Sequence, residues 1–438
     1  MDALEELLDY NDYNDDEDDL IYRMLLNDDD DLVILQFVRL QRQQNALNQR
    51  PRKRPRYYLT RPELQQNPMG SSGWQSIYQS REDRAYIHVL GINVDTFDYL
   101  MDSGFRNAWE TRPIKRTDTN QAGASRIGAR SLDAAGGLGL ALHFLCSTMS
   151  EVSLQMIFAL VPSTVSRYID FALEILHEVL ARIPEGCIDW PSQATMQVNS
   201  DLINNKHKRA KYLKGAFGFM DGLNLPVTTS SDDDEQNANF NGWLHSHVVS
   251  NVIVFSPNGT IMTAVINAPG SWHDSNVARP IYALLREKTP DNFFLIADSA
   301  FPRLGVGNSQ KIKVPLKKNA RLPGDNEAQR RKKDESREVT IARQAVEWGM
   351  RAIQGCFSRL YMPLDTHDAK GRARLLQTCM RLHNIRTERV KINQIRSVYM
   401  PIWNDGWERR LTDHQLFFRA LQIDRIQGFY AERGVIFD

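Results

Sequence analysis

Four acids stand in surroundings that acids normally avoid. Asp221 follows the apolar run FGFM, and Asp298 follows FFLIA. Asp274 lies in GSWHDSNV, at the start of a helical pattern, and Glu347 lies in ARQAVEWGM, inside one. A charge at the end of a core strand is costly unless it is paired or bound to metal. In open α/β sheets, strand ends are also where ligands gather. Hard divalent cations take oxygen ligands, and two Mg²⁺ ions about 3.5–4 Å apart activate a nucleophile and stabilise the leaving oxygen of an in-line phosphoryl displacement. That chemistry needs three or four carboxylates from separate elements to converge. Two neighbouring strand ends and one packed helix supply them.

Each acid also admits a plainer role. Asp221 before Gly222 and Asp298 before Ser299 are compatible with turns or caps. Ser271-x-x-Asp274 is a capping-box spacing. Glu347 has Arg343 and Arg351 four residues to either side, the spacing of an exposed helix ion pair of ~0.3–0.5 kcal/mol. His273 reads as a surface residue at the helix start, in preference to a proton-transfer or phosphate-contacting one.

The elements that must position these acids follow from periodicity. Residues 131–182 read as three helices. SLDAAGGLGLALHFLCST is apolar nearly all round; Thr148 and Glu151 form a capping box opening SEVSLQMIFAL; and a break at Pro162–Ser163 precedes STVSRYIDFALEILHEVL. The last two have helix-turn-helix spacing, with Ser163, Thr164, Ser166 and Arg167 leading a recognition helix; an ordinary helical bundle is the alternative. Upstream, Trp74, Ile77, Tyr86, Ile87, Leu90, Phe97, Leu100 and Phe105 recur at helical spacing, and residues 111–130 read as a linker. From 215 the texture changes to GAFGFMD as a strand ending at Asp221, then two strands joined by Pro-Asn-Gly, a helix, and NFFLIADSAFP as a buried strand. This is an α/β order, three meander strands and a crossover to a fourth. The charged stretch at 324–338 reads as a flexible loop.

Composition narrows the class. The 438 residues are 42% apolar and 25% charged, which suits a globular protein. No apolar run approaches the ~18 residues of a membrane span, and the acidic start MDALEELLDYNDYNDDEDDL predicts no secretory leader. Cys146, Cys187, Cys356 and Cys379 show no CxxC spacing. That argues against a disulfide framework or structural zinc and predicts a reducing compartment. The formal net charge of zero conceals an asymmetry: residues 1–32 carry 14 Asp/Glu and one Arg, leaving 53 Lys/Arg against 40 Asp/Glu beyond them. A basic body with an acidic leader predicts a polyanion partner. Residues 39–56 hold seven Lys/Arg and no acid and end in PRKRPR, a candidate nuclear import signal. KHKRAKYLK at 206–214 and the basic stretch 311–333 are candidate phosphate-binding segments.

The ordered blocks FGFMDGLNLPV, FNGWLHSH, NAPGSWHDSNV, FFLIADSAFP, RQAVEWGM and LQTCMRLHNI resemble the PIF/Harbinger class of DNA transposases and the nucleases derived from them. The resemblance covers about 130–390. It implies an RNase H-like core of the DDE type with Mg²⁺ or Mn²⁺, preceded by a helical, helix-turn-helix-like domain. On that resemblance Asp221 ends the first strand, Asp298 ends the fourth, and Glu347 projects from a later helix. Asp221, Asp298 and Glu347 form the catalytic triad, and Asp274 is a fourth metal ligand or orienting residue. Leu223 departs from the small polar residue common in the family, and the Asp298–Glu347 interval is long. Glu335 and Glu338 are rivals for the glutamate, but only Glu347 lies beside an apolar stripe, Ala342, Val346, Gly349 and Ile353.

The implied layout is a disordered acidic-then-basic leader (1–60), a helical domain (61–200), the nuclease domain (201–390, charged insert about 320–340) and a C-terminal extension (391–438). The implied activity is metal-dependent cutting at element ends, followed by attack of the freed 3′-hydroxyl on target DNA. Double-stranded DNA, a Myb-like DNA-binding partner protein, a homo-oligomer and the nucleus go with it; a membrane does not. A catalytically silent DNA- or protein-binding factor is the main alternative, and an RNase H-like RNA nuclease the third.

Overall fold

The computed structural model describes residues 59–114, 130–302, 310–317 and 324–400, with 39 and 128 singly; the predicted acidic leader, the PRKRPR run and residues 401–438 lie outside them. Everything below falls in the unit Thr60–Asp438.

Side-chain alternation along one strand sets the architecture. β1 (Ala216–Pro226) pairs antiparallel with β3 (Ser246–Phe255) and parallel with β5 (Phe294–Ala297). β4 (Ile261–Pro269) pairs antiparallel with β3, the two-residue β2 (Phe240–Asn241) caps the same edge, and β6 (Ile312–Lys313) continues parallel beyond β5. The mixed sheet therefore runs β4–β3–β1–β5–β6, a three-strand antiparallel meander followed by two parallel strands. A register shift between Ala216 and Gly218 sets the facing of all that follows. Beyond it, Phe219, Leu223 and Leu225 enter one core, while Met220 enters a second on the opposite face. Asp221 shares the parity of Phe219 and Leu223, and Asp298 that of Phe294 and Ile296, so both acids face the first core.

Helices cover both faces. Met196 of α4 (Gln193–Lys206) and Ile281 and Leu285 of α5 (Arg279–Glu287) close the second core. Against the first lie α6 (Asn326–Cys356) and α7 (Ala369–Ile385). α6 buries Val339, Ala342, Val346, Gly349, Met350 and Ile353, one stripe along its length. Phe255 of β3 lies against that stripe at Gly349, where an added Cβ would stand 2.7 Å from the ring. The LHNI block of α7 pins the β3–β4 turn. His383 Nε2 lies 3.0 Å from the Gly259 carbonyl oxygen, Asn384 Nδ2 donates to the Ile261 carbonyl oxygen, and the Ile261 N–H donates to Asn384 Oδ1. Burial drives the His383 pKa down to about 4, which keeps the ring neutral.

The same core continues into an all-helical part. α1 (Ala134–Cys146) is buried from Ala134 to Leu145, and its glycines let Trp74 and Trp109 lie on its backbone. Below it, α2 (Glu151–Phe158) and α3 (Pro162–Arg182) bend through 91°. The α2 cap differs from the expected box: Ser150, not Thr148, accepts the Ser153 N–H. The break also falls earlier, at Ala159 in the left-handed region, and Pro162 is the first residue of α3. The expected recognition residues are engaged locally, since Ser166 Oγ donates to Glu151 and Arg167 Nε to the Ser163 carbonyl oxygen. Among the described residues no single helix is long and apolar enough to cross a membrane.

Two other expectations are corrected. Asp221 does not end β1; it is the sixth of eleven residues, opposite Ile253 of β3. The charged stretch 326–338 is no loop but the first turns of α6, opened by Asp325, whose side chain accepts the Ala328 N–H. Its rival glutamates are used structurally. Glu338 accepts the Lys211 and Tyr212 N–H groups, and Glu335 pairs with Lys313.

Gly349→Ala tests the approach of α6 to the sheet. Overpacking of about 1–3 kcal/mol outweighs the ~1 kcal/mol that alanine gains in helix propensity. The expected result is a lower Tm; an unchanged or higher Tm means that the Phe255 contact does not set the helix position.

Candidate active site

Asp221, Asp298 and Glu347 meet at one side chain. Arg343 Nη1 lies 3.2 Å from Asp221 Oδ2 and 3.9 Å from Asp298 Oδ1, while Nη2 lies 3.2 Å from Glu347 Oε1. Each partner arrives from a different element. Asp221 projects from β1 toward α6. Asp298 follows β5 directly, and the pairing of Met220 with Ala297 sets it beside Asp221. Arg343 and Glu347 sit one turn apart on α6, flanking the buried stripe. The plain ion-pair reading of Glu347 is thus half right. Its i−4 partner is Arg343, but that arginine reaches past it to the strand acids.

Asp274 joins from the other side. A Cβ placed on Gly222 would stand 2.5 Å from Asp274 Oδ2, so the glycine after Asp221 is the opening through which the second carboxylate approaches. Neither the turn reading of Asp221–Gly222 nor the capping reading of Asp274 holds. Gly222 is inside β1, and the cap of the short helix Asp274–Val277 is His273, whose Nδ1 accepts the Ser275 N–H. His273 is exposed, as expected for a surface residue.

The electrostatics are those of crowded acids. Burial pushes the Asp221 carboxyl up to about 6, the Gly222 N–H and the Arg343 guanidinium oppose this, and Asp298 and Asp274 add to it. Asp274 is also raised, by burial first and by Asp298 in addition, against a lowering from His273. The donor chemistry fits a hard divalent cation, with carboxylate oxygens from Asp221, Asp274, Asp298 and Glu347 and Arg343 as the cation that pairs with three of them. Among the described residues no three His, Cys, Asp or Glu stand at metal-binding spacing; the guanidinium stands among the acids instead.

The basic segments divide. Lys311 is buried, donates to the Thr289 carbonyl oxygen and pairs with Asp291; Lys313 donates to the Tyr212 carbonyl oxygen and pairs with Glu335. Both are fixed by internal partners and are poor phosphate binders. Lys206, Lys208, Arg209, Lys211 and Lys214 are exposed. Sequence reasoning missed Arg343 as the hub and Gly222 as the opening. The signals were the arginine one turn before the glutamate and a glycine directly after a mid-strand acid.

Residues 220–384 match the family model described as DDE superfamily endonuclease. No curated protein and no solved structure matches the chain. The matched stretch contains all four acids and Arg343 and ends on the Asn384 that pins the β3–β4 turn. The match supports a DDE-type nuclease domain over that stretch.

The raised Asp221 carboxyl makes a pH prediction. Its folded value exceeds the unfolded one, so its contribution is fully present below the ordinary aspartate value of 3.8 and is lost as pH rises through about 6. The loss is at most about 3 kcal/mol. Asp221→Asn removes it. In chelator-treated protein, wild type and variant should melt together near pH 4, with the variant melting higher above pH 6. Parallel Tm profiles would show that Asp221 is not held in a disfavoured charged state.

Proposed function

We propose that this chain is a divalent-metal-dependent DNA endonuclease of the PIF/Harbinger transposase type, cutting and joining phosphodiester bonds at transposon ends. The single observation that carries the reading is the convergence of Asp221, Asp298 and Glu347 on one guanidinium from two strands and a helix inside the matched endonuclease domain. The sheet order supports an RNase H-like core, with its antiparallel meander followed by two parallel strands. Asp221, Asp298 and Glu347 are the catalytic triad of this reading, and Asp274 is the fourth ligand.

These four would hold Mg²⁺ or Mn²⁺. When bound, the metal supplies Lewis-acid polarisation of the phosphodiester and a water nucleophile at neutral pH. The chain's own part is positional. β1 and β5 fix two carboxylates side by side, Gly222 admits Asp274, and the Phe255–Gly349 contact holds α6 close enough for Glu347. Arg343 balances the crowded acids and competes with a metal for them. Lys206, Lys208, Arg209, Lys211 and Lys214 offer exposed charge for double-stranded DNA. The α2–α3 pair, bent as a helix-turn-helix is, is the proposed DNA-reading element. A homo-oligomer that brings two DNA ends together, a Myb-like partner protein and a nuclear location complete the proposal.

Two experiments test it. With Mg²⁺ and duplex DNA, Asp298→Asn and Glu347→Gln should each lose more than the ~10–100-fold that an outer-shell partner costs. Cleavage persisting at the wild-type rate in both would favour a binding factor descended from a transposase, and faster cutting of matched RNA–DNA hybrids would favour an RNA nuclease. Separately, Arg343→Gln should bind Mn²⁺ several-fold more tightly than wild type in calorimetry without DNA, because a competing cation is gone. Equal affinity would mean that Arg343 does not contest the site.

A further inference from the structure

Away from the acids, two thiols meet at the floor of a cleft. Cys146 is the last residue of α1 and Cys356 the last of α6. A Cβ built on Gly91 would stand 2.8 Å from Cys356 Sγ and 3.0 Å from Cys146 Sγ. Both sulfurs therefore crowd one point. Gly91 has φ +76 and ends the helix Asp83–Leu90, so the position both demands and exploits the missing side chain. The cleft above has a volume of about 1030 Å³, and its lining includes Arg84, His143, Cys146, Ser147, Cys356 and Arg386. Both cysteines are partly exposed.

The surroundings differentiate the two thiols. Interaction with the neighbouring Cys146 thiol lowers the Cys356 pKa, and the Arg386 guanidinium lowers it further against burial. Cys146 is pushed up by the same interaction and by burial. Arg386 is held in place, with its Nε donating to the Gly91 carbonyl oxygen at 2.9 Å. His143, one turn before Cys146, is 8% exposed and kept neutral by burial; Nδ1 lies 3.3 Å from the Val89 carbonyl oxygen, and Nε2 has no partner among the described residues. The cleft thus holds a thiolate-prone cysteine, a second thiol crowded against the same point and a fixed cation. This is the microenvironment of a reactive pair, not of inert core cysteines.

We propose that Cys146 and Cys356 are a thiol oxidation site, closing to a reversible disulfide when a hydroperoxide enters this cleft. Cys356 thiolate attacks the peroxide O–O bond, becoming a sulfenic acid, and hydroxide or alkoxide leaves. Cys146, giving its proton to the hydroxide or alkoxide released in the first step, attacks that sulfur, and the sulfenic oxygen departs as hydroxide and is protonated by solvent to water. Two thiols are oxidised and one peroxide is reduced. The new bond ties the end of α1 to the end of α6, nine residues along from Glu347. The proposal does not depend on the nuclease reading.

The test uses the full chain, reduced and then treated with a small excess of hydrogen peroxide, alkylated and mapped without reduction. The expected product has lost two hydrogens, carries one Cys146–Cys356 cross-link reversed by dithiothreitol, and melts higher than the reduced chain. Cys146→Ser should leave Cys356 as a sulfenic acid that dimedone traps; if that variant does not fold, the wild-type map decides alone. A Cys356–Cys379 link, a sulfinic or sulfonic Cys356 beside a free Cys146, or both thiols still fully alkylated would each overturn it.

Discussion

Everything in the matched domain turns on keeping crowded carboxylates close together without letting them drift apart. Like charges in a half-buried place repel strongly because the effective dielectric there is well below that of water. Two responses are visible. Asp221 leans toward the protonated form, with a pKa pushed up to about 6. Arg343 spreads one guanidinium over Asp221, Asp298 and Glu347. A planar fork with several donors suits that task better than the point charge of a lysine. The acids stay because the backbone leaves them nowhere else to go.

That backbone is held by devices remote from the acids. A register shift at the start of β1 turns Asp221 toward α6. The His383–Asn384 pair fixes the β3–β4 turn through hydrogen bonds to backbone groups at Gly259 and Ile261. Glu338 and Glu335 tie the first half of α6 to the segment before β1 and to β6. Each uses a polar group where an apolar one would pack as well but would not fix register. A site that needs its carboxylates set by the sheet gains from such fixing, since slippage by one residue would turn Asp221 to the opposite face.

The α/β order, the meander, the Pro-Asn-Gly turn and the grouping of Asp221, Asp298 and Glu347 were legible because they rest on local periodicity and on charge in apolar surroundings. Three features were not. Asp221 looked like a strand end because the run of bulky apolar residues stops there; the strand continues because β3 supplies a partner up to Pro226. Residues 326–338 looked like a loop because they lack an apolar face. They are helical because Asp325 caps them and Glu338 finds partners more than a hundred residues away in the chain. Arg343 looked like one half of an i, i+4 pair. Its meeting with Asp221 spans 122 positions, which no local pattern encodes.

The rival reading, a binding factor that has outgrown catalysis, must explain why this arrangement persists. For a protein that only binds DNA, clustered carboxylates are a double liability: they repel phosphate and they destabilise the fold above pH 6. An apolar substitution at Asp221 or Asp298 would relieve both, and the flanking cores already offer matching apolar surface. Gly222, kept open beneath Asp274, would be equally dispensable, since a larger residue would fill the gap once that acid was gone. The physical economy of the site favours a use for the negative charge. The proposed handling of a phosphodiester with divalent metal is such a use, since it calls for several fixed oxygens and a neighbouring basic surface.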